Sequence, residues 1–196
     1  MGDVSGMVGF KRIMIACLWA ISILGCLRTR DVEPPDQQNS DWVSPVDYTT
    51  LLDNLKRSVS QLNVQNYLRC FRADGFVFVP STPVFTGNEL IWGDWSWQDE
   101  QTWFNNINEN IGLSNGNSLQ LQEVGLQSFA ADSIRYVADY RLRMNHTDTS
   151  LTVEFAGQAE FLFQLNSYNE WEISKWVDFE TKVDSSWSRL KLNYVQ

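Results

Sequence analysis

The chain runs to 196 residues, 43% of them hydrophobic and 20% charged, with 15 Lys and Arg against 24 Asp and Glu for a formal net charge of -9. That length suits one domain behind an exported leader, and the acidic balance repels phosphate backbones and anionic surfaces, which argues against a nucleic-acid partner. Nine Trp and eleven Phe supply a large aromatic core.

Met1 to Cys26 reads as an address. Lys11 and Arg12 precede an apolar run, Ile13 to Leu24, that has the length of a signal-peptide core and is short for a bilayer span. Met7 offers a second start beside Met1. The run closes as Ile23-Leu24-Gly25-Cys26, which resembles the lipobox of bacterial lipoproteins, where a small residue precedes the cysteine that becomes the acylated N-terminus. The resemblance implies a signal peptide over residues 1–25, palmitate-type acylation at Cys26 and a lipid-anchored protein of the bacterial cell envelope. Acyl chains contribute roughly 0.8 kcal/mol per buried methylene, so several together hold firmly. Leu27 stands where an aspartate retains lipoproteins in the inner membrane of enteric bacteria; by resemblance this implies the outer membrane, with the domain in the periplasm.

Residues 26–46 include Glu33-Pro34-Pro35-Asp36 and show no apolar period, so they read as a flexible tether whose Trp42 can dock on the fold. Residues 47–196 then form the domain. Ser44-Pro45 and Asp47 start a helix carried by Leu51, Leu52, Leu55, Val59 and Leu62, and Asn63 separates it from a short second helix over Val64 to Phe71. A short strand, Gly75 to Pro80, is closed by its proline. A tryptophan-dense loop with Trp92, Trp95 and Trp97 follows, then a third helix, Gln98 to Ile111, whose stripe is Trp103, Phe104, Ile107 and Ile111.

From Ser118 the period becomes two. Leu119 to Phe129, Ser133 to His146, Leu151 to Leu165 and Trp171 to Thr181 follow one another across short turns, which predicts antiparallel neighbours and rules out a doubly wound parallel sheet. In the longest run Phe155, Gly157, Ala159, Phe161 and Phe163 share the buried face, and the small Gly157 and Ala159 suit a close helix crossing. Trp187 to Lys191 can make one last helical turn.

The order helix, helix, strand, helix, four long strands, from about Asp47 to Thr181, resembles the NTF2-like (SnoaL and ketosteroid-isomerase-like) domain. So do the Asn63-Val64-Gln65-Asn66-Tyr67 junction and the closing Trp171-Glu172-Ile173 and Trp176-Val177-Asp178. With the lipobox in front, the chain resembles uncharacterised bacterial NTF2-like lipoproteins. The resemblance implies an α+β, cone-shaped fold: a curved antiparallel sheet with three N-terminal helices packed on it and a pocket at the open end.

The chemistry of that pocket stays open between a binding or assembly module and an enzyme. A cofactor-independent isomerase, cyclase or dehydratase acting on an apolar carbonyl compound needs a carboxylate base beside a tyrosine or protonated acid, with a perturbed pKa. A binding module needs only apolar and aromatic walls. Candidate pocket-lining residues are Tyr67, Trp95, Trp97, Trp103, Tyr136 and Tyr140; the tryptophans serve either as a stacking platform for sugars and apolar ligands or as a plug in the cone. Alternation puts Asp139 on the outer face among Arg135, Arg141 and Arg143, as a salt-bridged surface residue, and Asp178 is read as a partner for an indole or backbone group, with a catalytic role as the alternative. Cys70, the one thiol of the mature domain, is read as a core residue with a catalytic thiol as the alternative. The sole histidine, His146, has no metal-spaced or nucleophile-spaced neighbour. No catalytic residue, metal ligand or cofactor motif is assigned. The sequence reading is therefore a non-enzymatic module taking a small apolar ligand, anchored to a membrane, with a homodimer as a possible assembly.

Overall fold

Five strands build one curved mixed sheet in the order β1-β5-β4-β3-β2: β1 Val77–Val79, β2 Ser118–Ala130, β3 Ser133–Arg143, β4 Glu154–Leu165 and β5 Trp171–Glu180. The computed structural model describes residues 41–111, 116–148 and 150–195. The expected signal peptide, Cys26 and most of the tether lie outside the described residues. The long strands pair antiparallel in chain order, as their turns predict. The short β1 is the exception, lying parallel to β5 with Phe78 opposite Trp176. It reaches that edge because the whole of the intervening chain returns before β5 is laid down, so no hairpin constrains its direction.

α1 (Tyr48–Gln61) starts at Asp47, whose carboxylate accepts the Thr50 amide at 2.7 Å, and ends at Leu62 in the left-handed region, φ 55°. Asn63 then caps α2 (Val64–Leu68) by accepting the Asn66 amide at 2.9 Å, so the break between the two helices is a cap handed directly from one to the next. The tryptophan-dense loop contains two single-turn helices, α3 (Thr82–Phe85) and α4 (Glu89–Trp92). α5 (Trp97–Asn110) is opened by a capping box in which the backbone and hydroxyl of Ser96 both donate to Asp99. The last turn expected near Trp187 is a longer helix, α6 (Trp187–Asn193), capped by Ser186, which accepts the Arg189 amide at 3.2 Å.

Alternation on β3 and β4 is as the sequence predicts. Tyr136, Ala138, Tyr140 and Leu142 face the same core as Phe155, Ala159, Phe161 and Phe163. Asp139 faces out, but its partner is the Gln158 amide at 3.0 Å rather than an arginine; the arginine ion pairs go to β4, Arg135 with Glu160 and Arg143 with Glu154. Gly157 also has a different reason from the one expected. A Cβ there would stand 2.6 Å from the Phe179 carbonyl and 2.6 Å from the Tyr140 hydroxyl, so it makes room for the tyrosine opposite it across the sheet, not for a helix. On β5 the bulge at Ser174, whose hydroxyl donates to the Leu162 carbonyl at 3.0 Å, shifts the phase so that Ile173 and Trp176 both point inward.

Residues 41–46, ahead of α1, lie on the domain. Asn54 brackets Val43 with two bonds, at 3.2 and 2.6 Å, Gln61 donates to Asp41, and the Pro45 carbonyl accepts the Trp171 amide at 2.8 Å. Trp42 docks with the Arg69 guanidinium 4.2 Å from its ring.

Candidate functional site

The interior of the cone holds an ion pair. Glu100 on α5 and Lys191 on α6 are both fully buried, and each carboxylate oxygen of Glu100 accepts from Lys191 Nζ, at 2.8 and 2.5 Å. Three further donors complete the carboxylate: the Tyr67 hydroxyl at 2.5 Å, the Trp103 indole at 2.8 Å and the Trp95 indole at 2.8 Å. The ammonium lies 3.6 Å from the Phe78 ring centre and 4.4 Å from that of Trp176. A charge moved out of water costs several kcal/mol unless it is paired and hydrogen-bonded; here every lone pair of the acid has a donor. Burial still pulls the lysine down to about 8, against the attraction of Glu100, and it pushes the Tyr67 phenol well above its ordinary value, with the Glu100 charge adding to the effect.

A second polar cluster lies alongside. Asp178 on β5 accepts the Tyr140 hydroxyl at 2.8 Å, the Ser188 amide at 2.7 Å and the Ser188 hydroxyl at 2.5 Å. Tyr140 in turn accepts the Trp187 amide at 2.6 Å. Burial raises the Asp178 carboxyl, with these donors opposing it, and raises the Tyr140 phenol well above its ordinary range. A buried carboxylate beside a tyrosine, with a perturbed pKa, is the feature an isomerase-like enzyme requires, and the chain has it. What it lacks there is room. Trp103, Trp176, Trp187, Glu100 and Lys191 are each at most 1% exposed, and α6 is latched over both acids by Lys191 and Ser188. The Tyr67, Tyr140 and Ser188 hydroxyls are already spent on the two acids, while the buried Trp176 and Trp187 indole N–H groups have no hydrogen-bond partner.

Of the six expected pocket residues, five are interior. Tyr67 and Trp103 hold Glu100, with Tyr67 stacked on Phe104 at 3.8 Å. Trp95 packs on Trp92 at 4.8 Å as well as bonding Glu100. Tyr136 lies between Tyr48 and Phe163, and Tyr140 bonds Asp178. Only Trp97 of the six lines an open apolar concavity, a groove of about 660 Å³. Its walls are Val64 and Leu68 of α2, Phe71, Trp97 and Gln101 of α5, Trp171 of β5 and the docked Trp42 with Pro45; Asn166, Tyr168, Glu170 and Glu172 stand at its β4–β5 end. Trp97 is fixed by its indole donating to the Leu68 carbonyl at 3.3 Å. The charges at the groove are largely occupied: Glu172 pairs with Arg72 at 3.6 Å and accepts from Asn166, and Glu170 accepts from Ser44.

Cys70 is fully buried, donates to the Asn66 carbonyl at 3.4 Å, and its thiol is pushed up by burial, so it is a core residue and no nucleophile. His146 places Nε2 2.7 Å from the Thr152 carbonyl. Among the described residues no three His, Cys, Asp or Glu side chains gather in a metal-binding arrangement.

Glu100 and Lys191 escaped the sequence reading, yet each breaks an apolar stripe. Glu100 precedes Trp103, Phe104 and Ile107 at helical spacing, and Lys191 stands with Trp187, Leu190 and Tyr194. Two opposite charges, each on the core face of its helix, are the signal for a buried pair.

No family model matches the chain and no curated protein is significantly similar to it in sequence. Solved structures do share its fold. A conserved protein from Planctomyces limnophilus DSM 3776 superposes with a TM-score of 0.53 at 10% identity, over 67% of this chain and 91% of that one. A ketosteroid isomerase-like protein from Erwinia carotovora atroseptica SCRI1043 gives 0.50 at 11% identity, over 70% and 95%. An NTF-2 like protein of unknown function from Shewanella oneidensis MR-1 gives 0.49 at 9% identity, over 68% and 96%. The likeness, at identities this low, is one of fold alone: the chain has an α+β, NTF2-like fold, its curved sheet mixed rather than wholly antiparallel.

Proposed function

We propose that this protein is a membrane-anchored, non-enzymatic binding module that takes a small apolar ligand in the groove between α2, the start of α5 and the β4–β5 turn. The observation that carries the reading is the contrast between a filled interior and an open apolar groove. The cone interior is filled by Trp103, Trp176, Trp187 and the Glu100–Lys191 pair, while an apolar, aromatic-walled groove of about 660 Å³ stays open beside it. Ligand sites are concave and mostly apolar, with a few polar groups at the edge, and 660 Å³ is in the range of such sites. The lipobox at Leu24-Gly25-Cys26 supports anchoring through acylated Cys26, and Trp42 lines the groove itself.

Native mass spectrometry of the protein purified from its own host tests the reading. A reproducible adduct that leaves on denaturation, and that is reduced about tenfold or more in W97A while the fold is kept, is the expected outcome; loss of a stacked indole accounts for roughly that factor. An unadducted monomer or dimer mass in the wild type counts against a ligand and moves the weight to protein interaction. The buried Asp178–Tyr140 pair favours a second reading, an enzyme on an apolar carbonyl compound. Turnover of such a compound that D178N abolishes without unfolding the chain would establish it.

A further inference from the structure

Lys191 sits in the interior as a ligand sits in a receptor. Its ammonium is held by both oxygens of Glu100 and ringed by aromatic faces, with Phe78 at 3.6 Å, Trp176 at 4.4 Å, Trp95 at 5.1 Å and Trp103 at 5.4 Å from their centres. A carboxylate inside aromatic walls is the arrangement by which proteins bind organic ammonium groups. Tyr67, Trp95 and Trp103 also orient Glu100 from three directions, through bonds that do not involve Lys191. The occupant arrives on α6, a helix of seven residues, after an exposed stretch, residues 181–184, that ends on Asp184 in the left-handed region, φ 56°.

We propose that this cage is a receptor site for a primary ammonium group, that Lys191 is its tethered occupant, and that α6 is an autoinhibitory plug which a slim alkylamine replaces. The site is separate from the groove, so neither reading depends on the other.

In the full chain, K191A vacates the cage. Its thermal midpoint is followed against n-butylammonium chloride and against n-butanol at matched ionic strength. The expected result is a rise with the ammonium that follows ln(1 + [L]/Kd), at an affinity at least about tenfold above that for the alcohol, absent in K191M, whose side chain fills the cage, and lost in E100Q/K191A. Should K191A not fold alone, the soluble yield on refolding with either additive is the same readout. Equal stabilisation by butanol, or none by either compound, overturns the receptor. The wild type tests the plug. An amine that binds only the form with α6 displaced multiplies that form by 1 + [L]/Kd however rare it is. At ten times the Kd found in K191A, exchange of the α6 amides speeds about elevenfold while amides of β3 and β4 keep their rates. Unchanged α6 exchange overturns the plug.

Discussion

At the scale of single residues, the decisive contact is Glu100 with Lys191. A buried pair adds little net stability over a well-packed apolar replacement, whereas removing one partner strands the other and costs about 3–5 kcal/mol. E100Q and K191M are each expected to lose that amount in urea denaturation, and E100Q/K191M to lose at least about 2 kcal/mol less than their sum; simple additivity would mean the two groups do not interact. The pair also sets a pH dependence. Burial lowers Lys191 from 10.5 to about 8, so between those values the unfolded chain holds a proton that the folded chain has released. Stability attributable to this group therefore rises with pH across that window. Wild-type stability measured relative to K191M is expected to climb from pH 8 to 10.5, and a flat or falling difference would refute the assignment.

At the scale of elements, β4 matters for the side chain it omits at Gly157. Gly157 lets the Tyr140 ring lie across the strand and deliver its hydroxyl to Asp178, and Asp178 in turn holds the start of α6 through Ser188. G157A drives a methyl group into the Phe179 carbonyl, which as backbone cannot swing aside. Overpacking of this kind costs about 3 kcal/mol. The expected signature in hydrogen exchange is loss of protection in α6 before the sheet, since the tyrosine that meets the Trp187 amide is displaced. A G157A protein as stable as the wild type would remove the glycine from this argument.

At the scale of the whole molecule, the proposed anchor at Cys26 and the folded domain are expected to be separable. C26S is expected to move the protein from the membrane to the soluble fraction without changing its thermal midpoint, checked by fractionation of the host and by mass spectrometry for acyl mass on the N-terminal peptide. Membrane retention of C26S with no acyl mass in the wild type would dispose of the anchor.

Periodicity alone determined the two long helices and the four long strands, and which of their faces is buried. Pattern in α1, α5, β3 and β4 reports which side chains leave water, and that is a property of neighbours along the chain. It extends further than was read from it: Ile173 and Trp176 are out of phase by one residue, which is the mark of the Ser174 bulge. The tertiary structure decided what the sequence pattern could not. The direction of β1, the closing of the cone by α6, the meeting of Glu100 with a lysine 91 positions later and the assembly of the groove from Trp42, Trp97 and Trp171 each depend on contacts between distant segments. A side chain on the core face looks the same in sequence whether it fills a pocket or lines one. Only the space left when all the segments have packed tells plug from wall, and here it made Trp103 a plug and Trp97 a wall.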